Sequence, residues 1–226
     1  LVRTDTSKKH EGISFLLIDM KSPGVEVRPI LLINGTSPFC ETFFTDVKVP
    51  KDQLFGPLNG GWTVAKRLLQ FERDNISALL GSGNLATTQA TLSVDAAAKA
   101  YVGVDDDGRL ADHDLRRRIT DHLMENRAFQ LTVRRAADEA RAGNGPSAAT
   151  SIMKYAGAKI AQDRNELMVE ALGANGLGWD GQGFEGSELA AVRTWLRSKG
   201  NSIEGGTSEI NLNVVSKRVL GLPDPK

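Results

Sequence analysis

The pattern of apolar residues changes at Gly60-Gly61, and this change constrains the fold more than any other feature of the chain. Before it, short runs rich in apolar, aromatic and β-branched residues lie at Ile13–Asp19, Val25–Arg28 and Phe39–Val49, the last stopping at Pro50. Runs of this length and composition predict β-strands. After it, apolar residues recur at helical spacing over much longer stretches, which predicts helices.

Three long helical segments and a shorter fourth one are predicted after this point, separated by glycine- and proline-containing breaks. They cover Trp62 to about Ala100 (with a flexible point near Gly81-Ser82-Gly83), Asp112 to about Arg141, Ser147–Leu172 and Leu189–Lys199. The strands are too few for a closed sheet. We therefore predict an α+β protein with a partial antiparallel β domain at residues 1–57 and an up-down four-helix-bundle domain at residues 58–226.

Composition excludes several classes of function. The chain has 28 basic and 28 acidic residues, a balance that argues against a general nucleic-acid or anionic-membrane surface. No apolar run approaches the ~18 residues of a membrane span. The single Cys40 excludes an internal disulfide, and the three scattered histidines form no metal-ligand pattern. We expect a cytoplasmic protein without a metal site.

The segment Ser202–Ile210, SIEGGTSEI, holds two carboxylates around Gly-Gly-Thr-Ser. Thr207 is a good N-cap for a helix that starts near Ser208, because its hydroxyl can accept from a first-turn N–H. Glu209 would then face the positive end of the helix dipole, which gives it a structural role as an alternative to a catalytic one. Glycines beside a helix start also form a common anion or phosphate site.

Five separated stretches together resemble the acyl-CoA dehydrogenase family. They are GISFLLIDMKSPGVEVRPI, FCETFFTDVKVP, NGGWTVAKRLLQFER, ALGANGLG and SIEGGTSEINLNVVSKRVLGLP, and their order and spacing match the family over nearly the whole chain. The resemblance implies an FAD enzyme that oxidises an acyl-CoA thioester to a trans-2-enoyl-CoA. It also implies that residues 1–57 are the second half of the family's middle β domain and that residues 58–226 are its C-terminal, oligomerising bundle.

The resemblance also implies site residues and partners. It assigns cofactor contacts to Gly173, Asn175, Gly176, Gly206, Thr207, Ser208 and Glu209. The partners it implies are an acyl-CoA substrate and an electron-transfer flavoprotein as electron acceptor, in a homotetramer or an α2β2 heterotetramer. The predicted helices carry more apolar side chains than one helical face needs, which independently indicates an oligomer interface. These side chains are Met124, Phe129, Leu131, Val133, Ile152, Ile160, Leu167 and Met168.

The chemistry needs a base for the α-proton, and two positions compete for that role. Many family members carry the base two residues before the threonine that corresponds to Thr207, but here that residue is Gly205. Glu204 is one residue out of register and is the runner-up. A subset of the family places the base in a Glu-Arg pair on the first long helix, and this chain has Glu72 there with Arg73 in support.

The local pattern around Glu72 favours the same choice. Glu72 falls within an apolar stripe formed by Ala65, Leu69, Ile76 and Leu80, and no lysine or arginine lies three or four residues away from it. Burial without a cation raises the pKa of a carboxyl group, which suits a base that works near neutral pH. The alternative is that Glu72 lies at the edge of the stripe and bonds a distant arginine.

Two departures from the family concern the grip on FAD. The family's Arg-x-x-Phe-Gly motif, which holds the pyrophosphate of a neighbouring subunit's FAD, is absent from Tyr101–Arg109, and Glu170 replaces a glutamine that faces the same cofactor. Arg109 or an arginine of the 116–118 run is the alternative grip. Three hypotheses follow: a catalytic subunit whose partner grips FAD, a homotetramer with an altered grip, and a non-catalytic partner subunit or interaction module.

Overall fold

The computed structural model describes residues 1–69, 71, 93–143 and 150–223. The chain forms two compact units, Leu1–Ala78 and Leu79–Lys226. Among the described residues, the four strands belong to the first unit and the longest helices to the second, so the predicted mixture of an antiparallel β part and a helical part is confirmed. The placement of a domain boundary between residues 57 and 58 stays a prediction.

The first unit contains two short antiparallel sheets. Strand β1 (Val2–Arg3) pairs with β2 (Ile13–Ser14), and β3 (Val25–Ile30) forms a hairpin with β4 (Phe39–Phe44). In the hairpin, Val25 lies opposite Phe44.

Two predicted strands are wrong in length. The run Ile13–Asp19 is a strand only to Ser14, because beyond it the chain makes single hydrogen bonds to residues 53–55 rather than a continuous ladder. The run Phe39–Val49 ends at Phe44, because Asp46 adopts a left-handed conformation with φ of 51°, which an extended strand cannot accommodate.

Helix α1 covers residues 61–69 and starts in contact with β2. A Cβ atom on Gly61 would lie 2.4 Å from the carbonyl carbon of Ser14, so only glycine permits this approach. Ser14 is fully buried, and its hydroxyl accepts from the amide of Asn59 at 2.8 Å and bonds the hydroxyl of Thr4 at 2.8 Å. These contacts fix the point from which α1 leaves the sheet.

The second unit is helical. Its helices are α2 (Val94–Tyr101), α3 (His113–Arg141), α4 (Thr150–Ala171), α5 (Gly186–Ser198) and α6 (Ser208–Val214), and α6 continues as a π-helical turn over Val215–Val219. The 3-10 turns Gly173–Leu177 and Lys199–Ser202 follow α4 and α5. The helices predicted near residues 112–141, 147–172, 189–199 and from 208 are confirmed, with shifts of a few residues at their described ends; the predicted start at Ser147 lies outside the described residues.

The single helix predicted from Trp62 to Ala100 is wrong at Ser93. The Ser93 backbone is extended, with φ of −67° and ψ of 153°, and a new helix begins at Val94. Serine commonly starts helices because its side chain competes for backbone hydrogen bonds, and helical periodicity alone does not reveal such a restart. The flexible point predicted at residues 81–83 lies outside the described residues.

Helix α4 is the centre of the second unit and packs against α2, α3, α5 and α6. The main core is formed by Val94, Ala97, Ala98, Leu110, Leu115, Ile119, Leu167, Met168 and Ala171. A smaller cluster joins Val133 and Ala136 in the second half of α3 with Met153 near the start of α4, and Phe129 packs against it. The up-down four-helix bundle itself stays a prediction.

The surface of the helical unit keeps large apolar side chains. Of the residues that the sequence assigns to an oligomer interface, Met124, Leu131 and Ile152 are exposed. Val133, Leu167 and Met168 from the same prediction are instead buried within the unit. In the ranges that the structure describes, no helix is long and apolar enough to cross a membrane.

Candidate active site and cofactor segment

The Gly-Gly-Thr-Ser segment, Gly205–Ser208, is the start of α6, as the sequence predicts. The Thr207 hydroxyl accepts from the amide of Ile210 at 3.2 Å, which is N-cap geometry. Gly205 and Gly206 have φ of +66° and +93°, a left-handed conformation that other residues rarely adopt. Asn211 fixes the turn from the helix side, since its amide nitrogen donates to the carbonyls of Gly206 at 3.1 Å and Thr207 at 2.9 Å.

Glu209 lies in the first turn of α6 and is exposed. Its own backbone N–H, and then the Thr207 hydroxyl, lower the pKa of its carboxyl group by hydrogen bonding to the ionised form. A carboxylate stabilised in this way is a poor proton acceptor near neutral pH. The capping role that the sequence suggests therefore accounts for Glu209.

Glu204 faces a cation. Its carboxylate accepts from the Arg197 guanidinium at 2.7 Å, and both side chains are partly exposed. The ion pair holds Glu204 toward α5 and gives it a structural partner. This geometry favours a structural role for Glu204 in the α5–α6 connection over a role as the base. Glu204 as the alternative base stays a prediction.

Glu72 and Arg73, the preferred base and its supporting residue, lie outside the described residues. Two members of the stripe that predicts burial for Glu72 are described. Ala65 is buried, but Leu69 is 45 % exposed, so the apolar stripe is not buried along its whole described length. Leu69 lies two helical turns beyond the contact of Gly61 with β2, which at ~1.5 Å per residue carries the helix well past the strand.

The glycine-rich turn after α4 holds three predicted cofactor residues, and each has a structural role. Gly173 has φ of +58° and ends α4 in a left-handed C-cap conformation. A Cβ atom on Gly176 would lie 2.5 Å from the carbonyl oxygen of Val169. The side-chain amide of Asn175 donates to Glu188 at 2.7 Å, so this side chain is committed within the unit.

Glu188 is a buried carboxylate that the sequence analysis missed. It is 3 % exposed and accepts from the amide of Glu185 at 2.7 Å and from the Tyr101 hydroxyl at 2.8 Å, in addition to Asn175. These three donors, with the Glu185 amide first, lower the pKa of its carboxyl group. The available signal was Glu188 three residues after Glu185, the spacing of a capping box, which is formed here. This network joins α2, α5 and the turn after α4.

Glu170, which replaces the family's glutamine, is paired rather than free. Two nitrogens of the Arg118 guanidinium donate to its two oxygens at 2.5 and 2.6 Å, a bidentate arrangement. The hydrogen bond to Glu170 is the main cause that raises the pKa of Arg118. Arg118 therefore neutralises the charge of Glu170, and the guanidinium of Arg118 is occupied by this carboxylate.

The other arginines proposed as alternative grips on a phosphate also face carboxylates. Arg109 bonds Asp107 at 3.1 Å, Arg116 lies 3.6 Å from Asp105, and Arg117 contacts Asp114 and Asp121 at 2.8 and 3.1 Å. Asp105 itself accepts from the backbone amide of Arg109 at 2.8 Å, the largest cause of its lowered pKa. The acidic stretch thus closes its own turn and engages the nearby cations.

A polar pocket of about 300 Å³ lies between α3 and α4, lined by Arg118, Asp121, His122, Glu125, Lys159, Asp163, Glu166 and Leu167. His122 is 6 % exposed, and its Nδ1 atom has no hydrogen-bond partner. Burial lowers its pKa, so the ring stays neutral at physiological pH. Among the described residues, no group of histidine, cysteine or acidic side chains could hold a metal ion.

Most of the chain is similar to a known protein family. A family profile described as "Acyl-CoA dehydrogenase, C-terminal domain" matches residues 59–220. Acyl-CoA dehydrogenase FadE34 of Mycobacterium tuberculosis is 33 % identical over 228 residues, which cover 99 % of this chain and 28 % of the relative. Acyl-CoA dehydrogenase IpdE1 of the same organism is 31 % identical over 225 residues, covering 99 % and 54 %.

A solved structure, the "Tcur3481-Tcur3483 steroid ACAD", shares the fold with a TM-score of 0.78 at 22 % identity, over 99 % of this chain and 56 % of that chain. The chain thus spans between about a quarter and about half the length of the relatives that it matches. Because the family profile covers most of the chain, including the whole of α2 to α6, this protein belongs to the acyl-CoA dehydrogenase family.

Proposed function

We propose that this chain provides the C-terminal half of an FAD-dependent enzyme that dehydrogenates an acyl-CoA thioester to a trans-2-enoyl-CoA. The observation that carries the proposal is the family match across residues 59–220, which spans both Glu72 and the Gly-Gly-Thr-Ser segment. The proposed electron acceptor of the reduced enzyme is an electron-transfer flavoprotein.

In this proposal Glu72, supported by Arg73, removes the proton from the α-carbon. The C–H electrons of the α-carbon form the new double bond as the hydride leaves the β-carbon. FAD, when bound, supplies the acceptor for that hydride. The thioester carbonyl makes the α-proton acidic enough for a carboxylate to remove, provided that the carboxylate is positioned and shielded from water.

The residues at the start of α6 fit a cofactor contact. A helix start leaves first-turn N–H groups without intrahelical partners, and the two glycines before it keep side chains out of the approach. Gly206, Thr207 and Ser208 are the residues proposed to hold the ribose or phosphate part of FAD, with Glu209 holding the Thr207 hydroxyl in place. Gly173, Asn175 and Gly176 are proposed to shape the second contact, through the backbone of their turn.

The Arg118–Glu170 pair favours an assembly of two different chains. A guanidinium that already bonds a carboxylate through two nitrogens offers less to a pyrophosphate. We therefore propose that a partner chain grips the ADP end of FAD in an α2β2 enzyme, with the exposed Met124, Leu131 and Ile152 near an interface. A homotetramer is the alternative.

The same ion pair supports a second candidate, a non-catalytic partner subunit. Flavin content and catalysis in the full-length protein, measured alone and after co-expression with a candidate dehydrogenase partner subunit, separate the candidates. Acyl-CoA should bleach the flavin absorbance of the wild-type enzyme. Glu72→Gln keeps the side chain's shape but cannot accept the proton, so we expect bleaching to slow by ~10²–10⁴-fold with flavin content unchanged.

Glu204→Gln is the matched control, since it also neutralises one carboxylate and should leave the bleaching rate within a few-fold of wild type. If Glu204→Gln abolishes bleaching while Glu72→Gln does not, the base is Glu204 and the assignment to Glu72 is wrong. A purified complex that holds flavin but is insensitive to both substitutions identifies this chain as a non-catalytic subunit.

A further inference from the structure

Lys154 is a half-buried cation on α4 that reaches across to the connection between α5 and α6. Its Nζ atom donates to the carbonyl oxygen of Asn201 at 2.5 Å. Asn201 belongs to the 3-10 turn Lys199–Ser202, four residues before Gly205. A charged donor on a backbone carbonyl makes a stronger hydrogen bond than a neutral one, particularly where water is partly excluded.

The same cation acts on both carboxylates that flank the glycines. Burial lowers the pKa of Lys154, and the attraction of Glu204 and then of Glu209 opposes that effect. The two carboxylates repel each other across the two glycines, and a positive charge that attracts both of them favours a conformation in which the segment stays near α4. Arg197 engages Glu204 from α5, but Lys154 is coupled to both acids.

The segment needs such an anchor because its own conformation is permissive. Gly205 and Gly206 have left-handed φ values and carry no side chain that could pack. On the α6 side, Thr207 and Asn211 fix the turn by capping bonds. On the α5 side, Gln162 of α4 donates to the carbonyl of Ser198 at 3.0 Å. Within the described ranges, the hydrogen bond from Lys154 to Asn201 is the bond from α4 that lies nearest to the glycines.

We infer that Lys154 is a positioning residue that fixes the Gly-Gly-Thr-Ser segment against α4, and so presets the geometry in which that segment meets its cofactor. The effect on cofactor binding rests on the function proposed above, whereas the anchoring of the segment does not. Lys154 itself need not touch the cofactor, because it acts through the Asn201 carbonyl and the fields of two carboxylates.

The test compares Lys154→Met, which keeps the length of the side chain but removes the charge, with Lys154→Arg, which retains a cation. Hydrogen exchange of the full-length protein, with its co-purifying partner where there is one, is followed in peptides covering residues 199–211. We expect Lys154→Met to speed exchange there by about tenfold or more, the size expected for losing one hydrogen bond to a charged group. Lys154→Arg should restore exchange to within about threefold of wild type.

Lys199→Met is the matched control, because Lys199 also joins this connection to α4 through its bond to Glu166 at 3.1 Å, but as an exposed pair. Exposed pairs stabilise little, so exchange should change by less than about threefold. Peptides from α3 report global stability. An equal rise in α3, or no rise at residues 199–211 in Lys154→Met, overturns the inference.

A parallel titration measures the FAD dissociation constant of the same variants by flavin fluorescence. We expect Lys154→Met to weaken FAD binding by about tenfold and Lys154→Arg to recover most of that loss. If wild type binds no FAD while the exchange results hold, the proposed function fails and the anchoring stands. If FAD affinity is unchanged in Lys154→Met despite a released segment, the inferred preset of cofactor geometry is wrong.

Discussion

The contact between Gly61 and Ser14 gives a sharp test of how α1 is positioned. A Cβ atom on Gly61 would lie 2.4 Å from the carbonyl carbon, 2.6 Å from the amide of Phe15 and 2.7 Å from the Cα atom of Ser14. All three are backbone atoms, two of them in the fully buried Ser14, so no side chain can move aside to relieve the contact. Overpacking typically costs about 1–3 kcal/mol, and this geometry belongs at the upper end.

The gain in helix propensity from glycine to alanine offsets up to about 1 kcal/mol of that cost. We therefore expect Gly61→Ala to destabilise the first unit by about 2–3 kcal/mol, which corresponds to roughly thirtyfold to more than a hundredfold in an equilibrium constant. Native-state hydrogen exchange reads this change locally. Two reporter amides are Leu17, which donates to Gln53 at 3.0 Å, and Phe55, which donates to Phe15 at 2.8 Å.

Gly186→Ala is the matched control, since Gly186 is also the first residue of a helix but a Cβ atom there would have open space. That variant should be neutral or stabilising by up to about 1 kcal/mol. If exchange at Leu17 and Phe55 in Gly61→Ala stays within about threefold of wild type, the close approach of α1 to β2 does not determine the stability of this unit, and the reasoning is refuted.

Two further predictions concern the helical unit. Thr207→Ala removes the N-cap of α6 and should lower the unfolding free energy by about 1 kcal/mol in urea titrations, whereas Thr207→Ser should retain most of it; equal losses in both variants would contradict the capping role. Burial is the main cause that lowers the pKa of His122; the charges of Arg164 and Lys159 add to this effect, and those of Asp163 and Glu125 oppose it. The unfolded chain therefore binds the proton more readily than the folded one. The stability contributed by neutral His122 is therefore present above its ordinary pKa of ~6.5 and is lost as the pH falls below it. The urea midpoint should therefore fall as the pH is lowered from about 7.5 to 5.5, in wild type and in a His113→Gln control, since His113 is exposed on the same helix. In His122→Leu the midpoint should depend less steeply on pH. An unchanged pH dependence in His122→Leu would refute the assignment.

The sequence by itself determined the elements that local chemistry controls. Thr207 caps α6 because a threonine hydroxyl reaches its own first turn, and Gly173 ends α4 because glycine accepts the left-handed conformation. The long periodicities of α3 and α4 likewise predict their bounds to within a few residues. The family is also readable from the order of five motifs, since it depends on residue types and spacing alone.

Only the tertiary structure decided where charges find their partners. Glu170 and Arg118 are 52 positions apart, and Tyr101 and Glu188 are 87 apart, so no local pattern connects them. The reach of Lys154 to Asn201 and the contact of Gly61 with Ser14 arise in the same way, from the packing of elements distant in sequence. Helical spacing shows which side chains share a face, but burial depends on what covers that face. Leu69 is therefore exposed although it lies on the same apolar stripe as the buried Ala65.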